Sequence, residues 1–267
     1  MKSFINEAAE NCGWKAEKII EKGDYLTKYS KNGYYFYSDG ISTIPINNQS
    51  PNIAVNKVHT SVILENENIP CIKTREINFE EIEHVRGLYY HFANESNPRI
   101  VLKPIDGNKS EGLLYYDSLK ELEDFSIIAP KNKRYCISSY FAHLCEIRFI
   151  LFRNSVEFYY LKPNNESNHL RPIIDKTINL HEDTISKLRN LAEKASVSLG
   201  FDYLSIDFLI GNKDEKIIEV NLNPNLYSLI RNHPEFYQRC VELFEKMFNY
   251  KEQLLLERIK KSYKQEK

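Results

Sequence analysis

Two short apolar stretches near the middle of the second half of the chain carry side chains that bind metal ions well. The first runs from Tyr203 to Ile210 and contains Asp207, and the second runs from Lys216 to Leu222 and contains Glu219 and Asn221. Both stretches read as strands, and a turn with a glycine separates them. We therefore expect an antiparallel hairpin that carries two carboxylates and an amide.

The register of this hairpin decides what its polar side chains do. If Ile210 lies opposite Lys216, then Asp207 lies opposite Glu219, and Asn221 follows two residues later on the same face. Like charges directly opposite each other, with Cβ atoms about 5 Å apart, destabilise a sheet unless something compensates them. Oxygen ligands of this kind suit Mg²⁺ or Mn²⁺ and not zinc, and Mg²⁺ is usually shared with substrate phosphates. The hairpin thus suggests a nucleotide-phosphate site.

The same alternation also fits an ordinary hairpin with one buried and one polar face. The opposite face carries only apolar residues, namely Leu204, Ile206, Phe208, Ile218, Val220 and Leu222. Taken by itself, the hairpin leaves both interpretations open.

The apolar spacing elsewhere predicts the elements that must position this hairpin. Helices are expected over residues 3–22, with a break at Gly13, and over 52–65, 118–125, 182–199 and from Pro234 onward. A small aromatic hairpin is expected over 25–29 and 34–37, and further strands near 100–103, 112–116, 135–141, 146–153 and 156–162. Helix 182–199 is the clearest amphipathic segment, and Gly200 closes it.

Composition excludes several classes of protein. The chain has 267 residues, 42% of them hydrophobic and 27% charged, with a net charge of −1 and nine glycines. These values are typical of a folded globular protein and lack the basic signature of nucleic-acid binding. Five scattered cysteines without a CxxC pair, and the lack of a long apolar run, favour a reduced, cytoplasmic protein with no membrane partner.

The chain resembles the ATP-grasp domain of carboxylate-amine ligases. Residues 199–208 followed by 216–224 resemble the end of that domain. Earlier segments resemble its other parts in the same order: an entry segment (Asn56-Lys57, Thr60, Leu64, Ile69-Pro70), a phosphate-loop segment (101–104 and 106–112), and a hinge with the strand after it (139–141 and 146–149). The resemblance covers about 25–230 and is nearest to the cyanophycin synthetase and ribosomal-protein glutamate-ligase branches.

The resemblance implies an α+β ATP-grasp fold in which two α+β subdomains clasp ATP. Residues 1–50 would form a shortened N-terminal helix and hairpin region, 51–140 the phosphate-loop lobe, and 141–267 the metal-binding lobe with a C-terminal helix. It also implies an ATP-dependent ligase that uses Mg²⁺ or Mn²⁺ and forms an amide through an acylphosphate. The substrates would be a small-molecule or peptide carboxylate and an amine, and a homodimer is one oligomeric state that remains open.

Individual roles follow from the same resemblance. Asp207, Glu219 and Asn221 would hold the metal. ATP would contact Lys57, Lys103, Gly107, Ser139, Tyr140, Phe141, Glu146 and Lys162. The catalytic residues would be Arg148 and Arg171, which would neutralise the transferred phosphoryl group. Arg148 has an alternative role in a cross-strand salt bridge, and solvated surface positions are the alternative for Lys57, Lys162 and Arg171.

Some positions depart from the family pattern. The hinge reads Ser138 to Phe141 and lacks the usual carboxylate for the adenine amino group, which leaves backbone groups of Tyr140 and Phe141 for that contact. Ser205 stands where some members carry arginine, and Asn225 where glycine is usual. These departures motivate a second hypothesis, a nucleotide-binding regulatory protein without turnover. A small-molecule phosphotransferase is a third.

Overall fold

Three antiparallel sheets frame the part of the chain that the computed structural model describes, which is residues 3–20, 26–39, 44–47, 49–105, 112–163 and 180–265. The helices are α1 (Phe4–Asn11), α2 (Pro51–Val55), α3 (Lys57–Asn66), α4 (Ile82–Phe92), α5 (Leu119–Ile128), α6 (Glu182–Leu199), α7 (Leu226–Asn232) and α8 (Tyr237–Gln265), with a 3₁₀ turn at Pro234–Phe236. The strands are β1 (Lys15–Ile20), β2 (Leu26–Lys31), β3 (Tyr34–Asp39), β4 (Thr74–Ile77), β5 (Ile100–Pro104), β6 (Leu114–Tyr116), β7 (Tyr135–Ser139), β8 (Cys145–Phe152), β9 (Ser155–Pro163), β10 (Tyr203–Ile210) and β11 (Glu215–Asn221). None of the described helices has the length and apolarity that a membrane span needs.

We name the sheets by their strand order. The N-terminal sheet is β1-β2-β3, the middle sheet is β4-β7-β5-β6, and the hairpin sheet is β11-β10-β8-β9. The strands expected from 100 to 162 are all present, and so are the helices at 118–125 and 182–199. Gly200 ends α6 in the left-handed conformation, with a φ of +71°, as expected. Strand β4 and helices α4 and α7 were not predicted.

The helix predicted over residues 3–22 is wrong in its second half. Helix α1 ends at Asn11, and Gly13 follows with a φ of +75°. A left-handed residue after a helix redirects the chain, and glycine adopts this conformation without steric cost. The chain then forms β1, which pairs antiparallel with β2, and the buried Trp14 packs against the rings of Phe36 and Phe248.

The aromatic hairpin is confirmed as β2 and β3. A two-residue turn joins them, in which Asn32 and Gly33 have φ values of +49° and +83°. Positive φ at both central positions is the requirement of a type I′ turn, which matches the twist of the strands. The outcome is a regular ladder from Lys31↔Tyr34 to Leu26↔Asp39.

The helix predicted over 52–65 is two helices that meet at Asn56. Asn56 has an extended ψ of 105°, and its side-chain oxygen accepts hydrogen bonds from the backbone N–H groups of Val58 and His59 at 3.0 and 3.2 Å. Asn56 is therefore the N-cap of α3. As a consequence, Lys57 is the first residue of α3, where it reaches toward the end of β5.

The hairpin sheet is covered on both faces. On one face, α6 packs against Phe149, Leu151 and Ile206. On the other face, α1 and α8 share a core with Phe152 and Tyr203, so the two ends of the chain pack together over this sheet. Every residue of the central strand β10 is consequently buried.

Candidate functional site

The hairpin β10–β11 brings Asp207 and Glu219 into direct opposition, as predicted, although by a different register. Leu209, and not Ile210, lies opposite Lys216, and a β-bulge next to Asp207 restores the expected pairing further along. A bulge places two residues opposite one and shifts the register by one. The bulge leaves Ile218 half-buried, while Ile217 is buried. The prediction that Ile218 lies on the buried apolar face of the hairpin is therefore wrong, and Ile217 takes that place.

Asp207 is engaged by an arginine from the neighbouring strand. The sheet register places Arg148 of β8 directly opposite Asp207. Arg148 Nε donates to Asp207 Oδ1 at 2.5 Å, and Arg148 Nη2 donates to Asp207 Oδ2. The Asp207 side chain is only 1% exposed. The cross-strand salt bridge, the alternative role of Arg148, is thus the arrangement in the structure.

A second ion pair lies beside the first. Glu146 and Lys162 are partners on β8 and β9, and their charged ends form an ion pair. Lys162 Nζ also lies 3.6 Å from Asp207 Oδ2. Two cations and two carboxylates therefore alternate on one face of the hairpin sheet, where each charge has an opposite neighbour.

Burial and these charges shift the ionisation of the two acids in opposite directions. Burial raises the pKa of Glu146 to about 7, since the Asp207 charge adds to burial and Lys162 only partly opposes them. Burial alone would also raise the pKa of Asp207, but the Arg148 and Lys162 charges hold it well below its ordinary value. Asp207 is accordingly the anion of the cluster.

Lys103 approaches the hairpin from the middle sheet. It is the last residue but one of β5 and is 8% exposed. Burial, and then the positive charge of Lys57, lower the pKa of Lys103, while the Glu219 charge opposes that shift. Lys57 Nζ donates to the Ile105 carbonyl at 3.1 Å, and Lys57 and Glu219 line one crevice. The structure thus places Lys57 and Glu219 on one crevice, and the charges of both act on the buried Lys103.

A short segment ties β11 to the middle sheet. Ile217 N donates to the Pro70 carbonyl at 3.0 Å, and Ile72 N donates to the Ile217 carbonyl at 2.8 Å. Cys71 forms a parallel bridge with Ile217. Because β4 starts at Thr74, this segment holds Glu219 close to the middle sheet.

The predicted adenine hinge is already hydrogen-bonded within the protein. Tyr140 N donates to the Arg99 carbonyl at 3.1 Å, and the Tyr140 carbonyl accepts from Asn97 Nδ2 at 2.8 Å. Ser139 Oγ donates to the Phe92 carbonyl at 2.7 Å. A carbonyl oxygen has a second lone pair, so Tyr140 retains one acceptor position.

The Phe141 ring packs against the turn of the β10–β11 hairpin. A Cβ added to Gly211 would lie 2.9 Å from a ring atom of Phe141, and Lys216 Nζ lies 5.0 Å from the ring centroid. The Phe141 carbonyl is 3.1 Å from His143 Nδ1. Phe141 therefore links the hinge to the β10–β11 turn. Gly107 and Arg171 lie outside the described residues.

Two residues beside the predicted ligands were given no role from the sequence. Tyr160 lies opposite Arg148 on β9, and burial raises the pKa of its hydroxyl. Ser205 is wholly buried, and its hydroxyl has no hydrogen-bond partner among the described residues. Its spacing of two from Asp207 on one strand was a usable signal, since such residues share a face.

No protein-family model matches the chain, and no curated protein does. Solved structures do. The D-alanine–D-alanine ligase of Bacillus anthracis is 16% identical with a TM-score of 0.51, covering 73% of this chain and 67% of that chain. D-cycloserine synthetase DcsG is 17% identical with a TM-score of 0.51, covering 72% of this chain and 70% of that chain.

The ATP-grasp ligase PsnB, in complex with a minimal precursor, Mg and ADP, is 14% identical with a TM-score of 0.50. The match covers 73% of this chain and 58% of that one, so the chain spans less than two thirds of PsnB. At these identities the likeness establishes the fold, which is the predicted ATP-grasp fold. It does not distinguish among branches, so the nearness to cyanophycin synthetases and ribosomal-protein glutamate ligases stays a prediction.

Proposed function

We propose that this chain, with its ATP-grasp fold, is an ATP- and Mg²⁺-dependent ligase that joins a carboxylate to an amine. One observation carries the proposal: Lys57 lines one crevice with Glu219, on the hairpin that also carries Asp207, and the charges of both residues shift the pKa of the buried Lys103. Phosphoryl transfer is catalysed largely by positioning and by neutralising charge. Cations facing carboxylates across a cleft are the groups that this catalysis needs.

The two lysines are proposed as phosphate ligands. The ammonium of Lys103 is buried near the end of a strand. Burial lowers its pKa because the charged form loses its hydration. A nucleotide phosphate beside Lys103 and Lys57 would supply the missing negative charge. Gly107, in the segment after β5, is proposed to approach the phosphates with its backbone.

The donor set of the hairpin partly fits Mg²⁺. Glu219 and Asn221 offer oxygen ligands on one strand and are only half-buried, so both are accessible to a cation. Both oxygens of Asp207, however, accept hydrogen bonds from Arg148. Glu219 and Asn221 therefore fit as they stand, and Asp207 fits once Arg148 is released. When bound, Mg²⁺ would neutralise the charge of the β- and γ-phosphates.

Arg148 is proposed to act on the transferred phosphoryl group, together with Arg171. Arg148 is held on a rigid strand, and its release from Asp207 would free a guanidinium for phosphate oxygens. Lys162 beside it is proposed as a further phosphate contact and Glu146 as the acceptor for the ribose hydroxyls. The hinge residues Ser139, Tyr140 and Phe141 are proposed to line the adenine.

The proposed reaction has two steps. A substrate carboxylate oxygen attacks the γ-phosphorus, the bond to the ADP oxygen breaks, and an acylphosphate forms. An amine nitrogen then attacks the acyl carbon, phosphate leaves with the electrons of the C–O bond, and the ammonium proton passes to solvent. By fold likeness, an amino acid, small peptide or peptide terminus is proposed as substrate.

One observation favours a second candidate, a nucleotide-binding protein without turnover. Arg148 occupies the carboxylate on which the metal site depends, and this pairing would persist in a protein that never assembles that site. A phosphotransferase would use the same groups and would form no amide.

The test is ADP release measured with a panel of carboxylate and amine pairs. A ligase releases ADP only when both substrates are present, and hydroxylamine in place of the amine yields a hydroxamate. Glu219→Gln should lower activity by more than the roughly 10- to 100-fold that is lost when a residue hydrogen-bonded to a metal ligand is replaced. Glu219 is proposed as a metal ligand itself, so its loss should cost more. Asp214→Asn, in the turn of the same hairpin, is the matched control. ATP binding without turnover across the panel would establish the second candidate instead.

A further inference from the structure

A cavity lies between residues 45–47 and the second half of α8. Its volume is about 200 Å³, far above the roughly 15 Å³ that a single water needs. Ile46, Leu254 and Leu255 provide apolar walls. The space therefore suits a small organic molecule.

A buried cation reaches this cavity. Lys251 is 8% exposed, its Nζ donates to the Pro45 carbonyl at 2.5 Å, and it lies 5.5 Å from the centroid of the Phe36 ring. Burial, and then the like charge of Arg258, lower its pKa, and no carboxylate of the described residues offsets them. Buried ammonium groups are costly unless an anion accompanies them.

Two more cations line the same cavity. Arg258 and Lys261 follow Lys251 at spacings of seven and ten, which place them on one face of the helix. Among the described residues that line the cavity, Glu257 is the one acidic residue, and Lys251, Arg258 and Lys261 are the cationic ones. The described part of the wall therefore carries more cationic than acidic side chains.

We infer that this cavity is a binding site for a small organic anion that carries two negative charges, such as a phosphate monoester or a dicarboxylate. The anion would lie against Lys251, Arg258 and Lys261, and its carbon portion against Leu254 and Leu255. The site goes beyond the proposed ligase activity and does not depend on it.

The cavity adjoins the start of the strand that carries Asp207. Asn47, on the cavity wall, accepts from Tyr203 N at 2.8 Å and donates to the Tyr203 carbonyl at 2.9 Å. An anion held here would thus contact the segment that fixes the first residue of β10.

The test is calorimetric titration of the full chain with inorganic phosphate and, separately, with succinate, at constant ionic strength. Each titration is run with and without saturating ATP, which separates this site from any nucleotide site. The double variant Arg258→Gln/Lys261→Gln should weaken binding of at least one anion by roughly tenfold or more, because it removes two charge-assisted contacts.

Lys260→Gln is the matched control, since Lys260 is exposed on the same helix and does not line the cavity. Binding equal in the control and the double variant would overturn the inference, and so would the lack of millimolar binding of either anion to the native chain. Lys251→Met should also weaken binding. If that variant fails to fold, the double variant Arg258→Gln/Lys261→Gln, which changes only exposed positions, still tests the inference. A preference for phosphate or succinate would identify the class of the natural ligand.

Discussion

Arg148 and Asp207 lie directly opposite each other on β8 and β10, and Arg148 holds both carboxylate oxygens of Asp207. Their side chains are 15% and 1% exposed, so water screens neither charge well. Removing one member of such a pair leaves the other charge buried alone. The side chain proposed for the metal and the one proposed for the phosphoryl group therefore stabilise each other in the protein without ligands.

Replacing Arg148 alone should destabilise the fold strongly. Arg148→Met leaves the Asp207 carboxylate buried without its partner, which typically costs about 3–5 kcal/mol of unfolding free energy. The double variant Arg148→Met/Asp207→Asn should recover much of that loss, since the carboxylate that Arg148 left unpaired is then neutral. Urea denaturation of the three proteins measures both values.

A control for this prediction is Arg99→Met, because Arg99 pairs with Asp117 in an exposed ion pair. Such pairs contribute little to stability. A loss for Arg148→Met as small as that for Arg99→Met would show that the buried pair is not structural.

Glu146 should make the unfolding free energy fall as the pH rises toward 8. Its pKa is raised from 4.5 to about 7 in the folded protein, first by burial. The folded state therefore binds more protons between these values, so the contribution is complete below 4.5 and is lost as the pH rises through about 7. Glu146→Gln keeps a neutral group and should not show this loss.

Denaturation of wild type and Glu146→Gln at several pH values between about 5 and 8 tests this, because the difference between the two proteins isolates Glu146. Lys162→Met removes a cation that lowers the pKa of Glu146, so it should move the transition to higher pH. Parallel stability curves for wild type and Glu146→Gln would contradict the prediction.

Lys103→Met should weaken ATP binding without destabilising the protein. Burial disfavours the Lys103 ammonium, and methionine removes that charge at similar length. The melting temperature should stay unchanged or rise, while the Kd for ATP should increase roughly tenfold or more with the loss of a charged contact. Lys133→Met, at an exposed position, is the control. Unchanged ATP affinity in Lys103→Met would remove Lys103 from the proposed site.

Gly211→Ala should disturb the contact between the hinge and the hairpin turn. The new Cβ would lie 2.9 Å from the Phe141 ring, and overpacking of this kind typically costs about 1–3 kcal/mol. Gly87→Ala is the control: nothing lies within 4 Å of its added Cβ, and alanine favours the helix. Thermal denaturation should show opposite signs for the two variants, and equal shifts would contradict the close contact.

The opposition of Asp207 and Glu219 was predicted from a register with Ile210 opposite Lys216, and the bulge offsets the one-residue difference between that register and the actual turn. The bulge itself was not predictable. It moves Ile218 outward and Ile217 inward, and both are isoleucine, so the composition of the strand carries no sign of the exchange.

The partner of Asp207 was beyond local sequence patterns. Arg148 reaches Asp207 only because β8 lies beside β10, and this lateral order joins strands that are some 60 positions apart. Residues 15–20 were misassigned for a related reason. Their apolar spacing suited either structure, and pairing with β2 decided in favour of a strand.

The backbone bonds of Ile72 and Pro70 with Ile217 have a mechanical consequence. They fasten the strand that carries Glu219 to the chain just ahead of β4, so the middle sheet is attached to the hairpin sheet along one edge. If the proposed nucleotide cleft between the two sheets opens, this attached edge would act as the hinge about which they rotate.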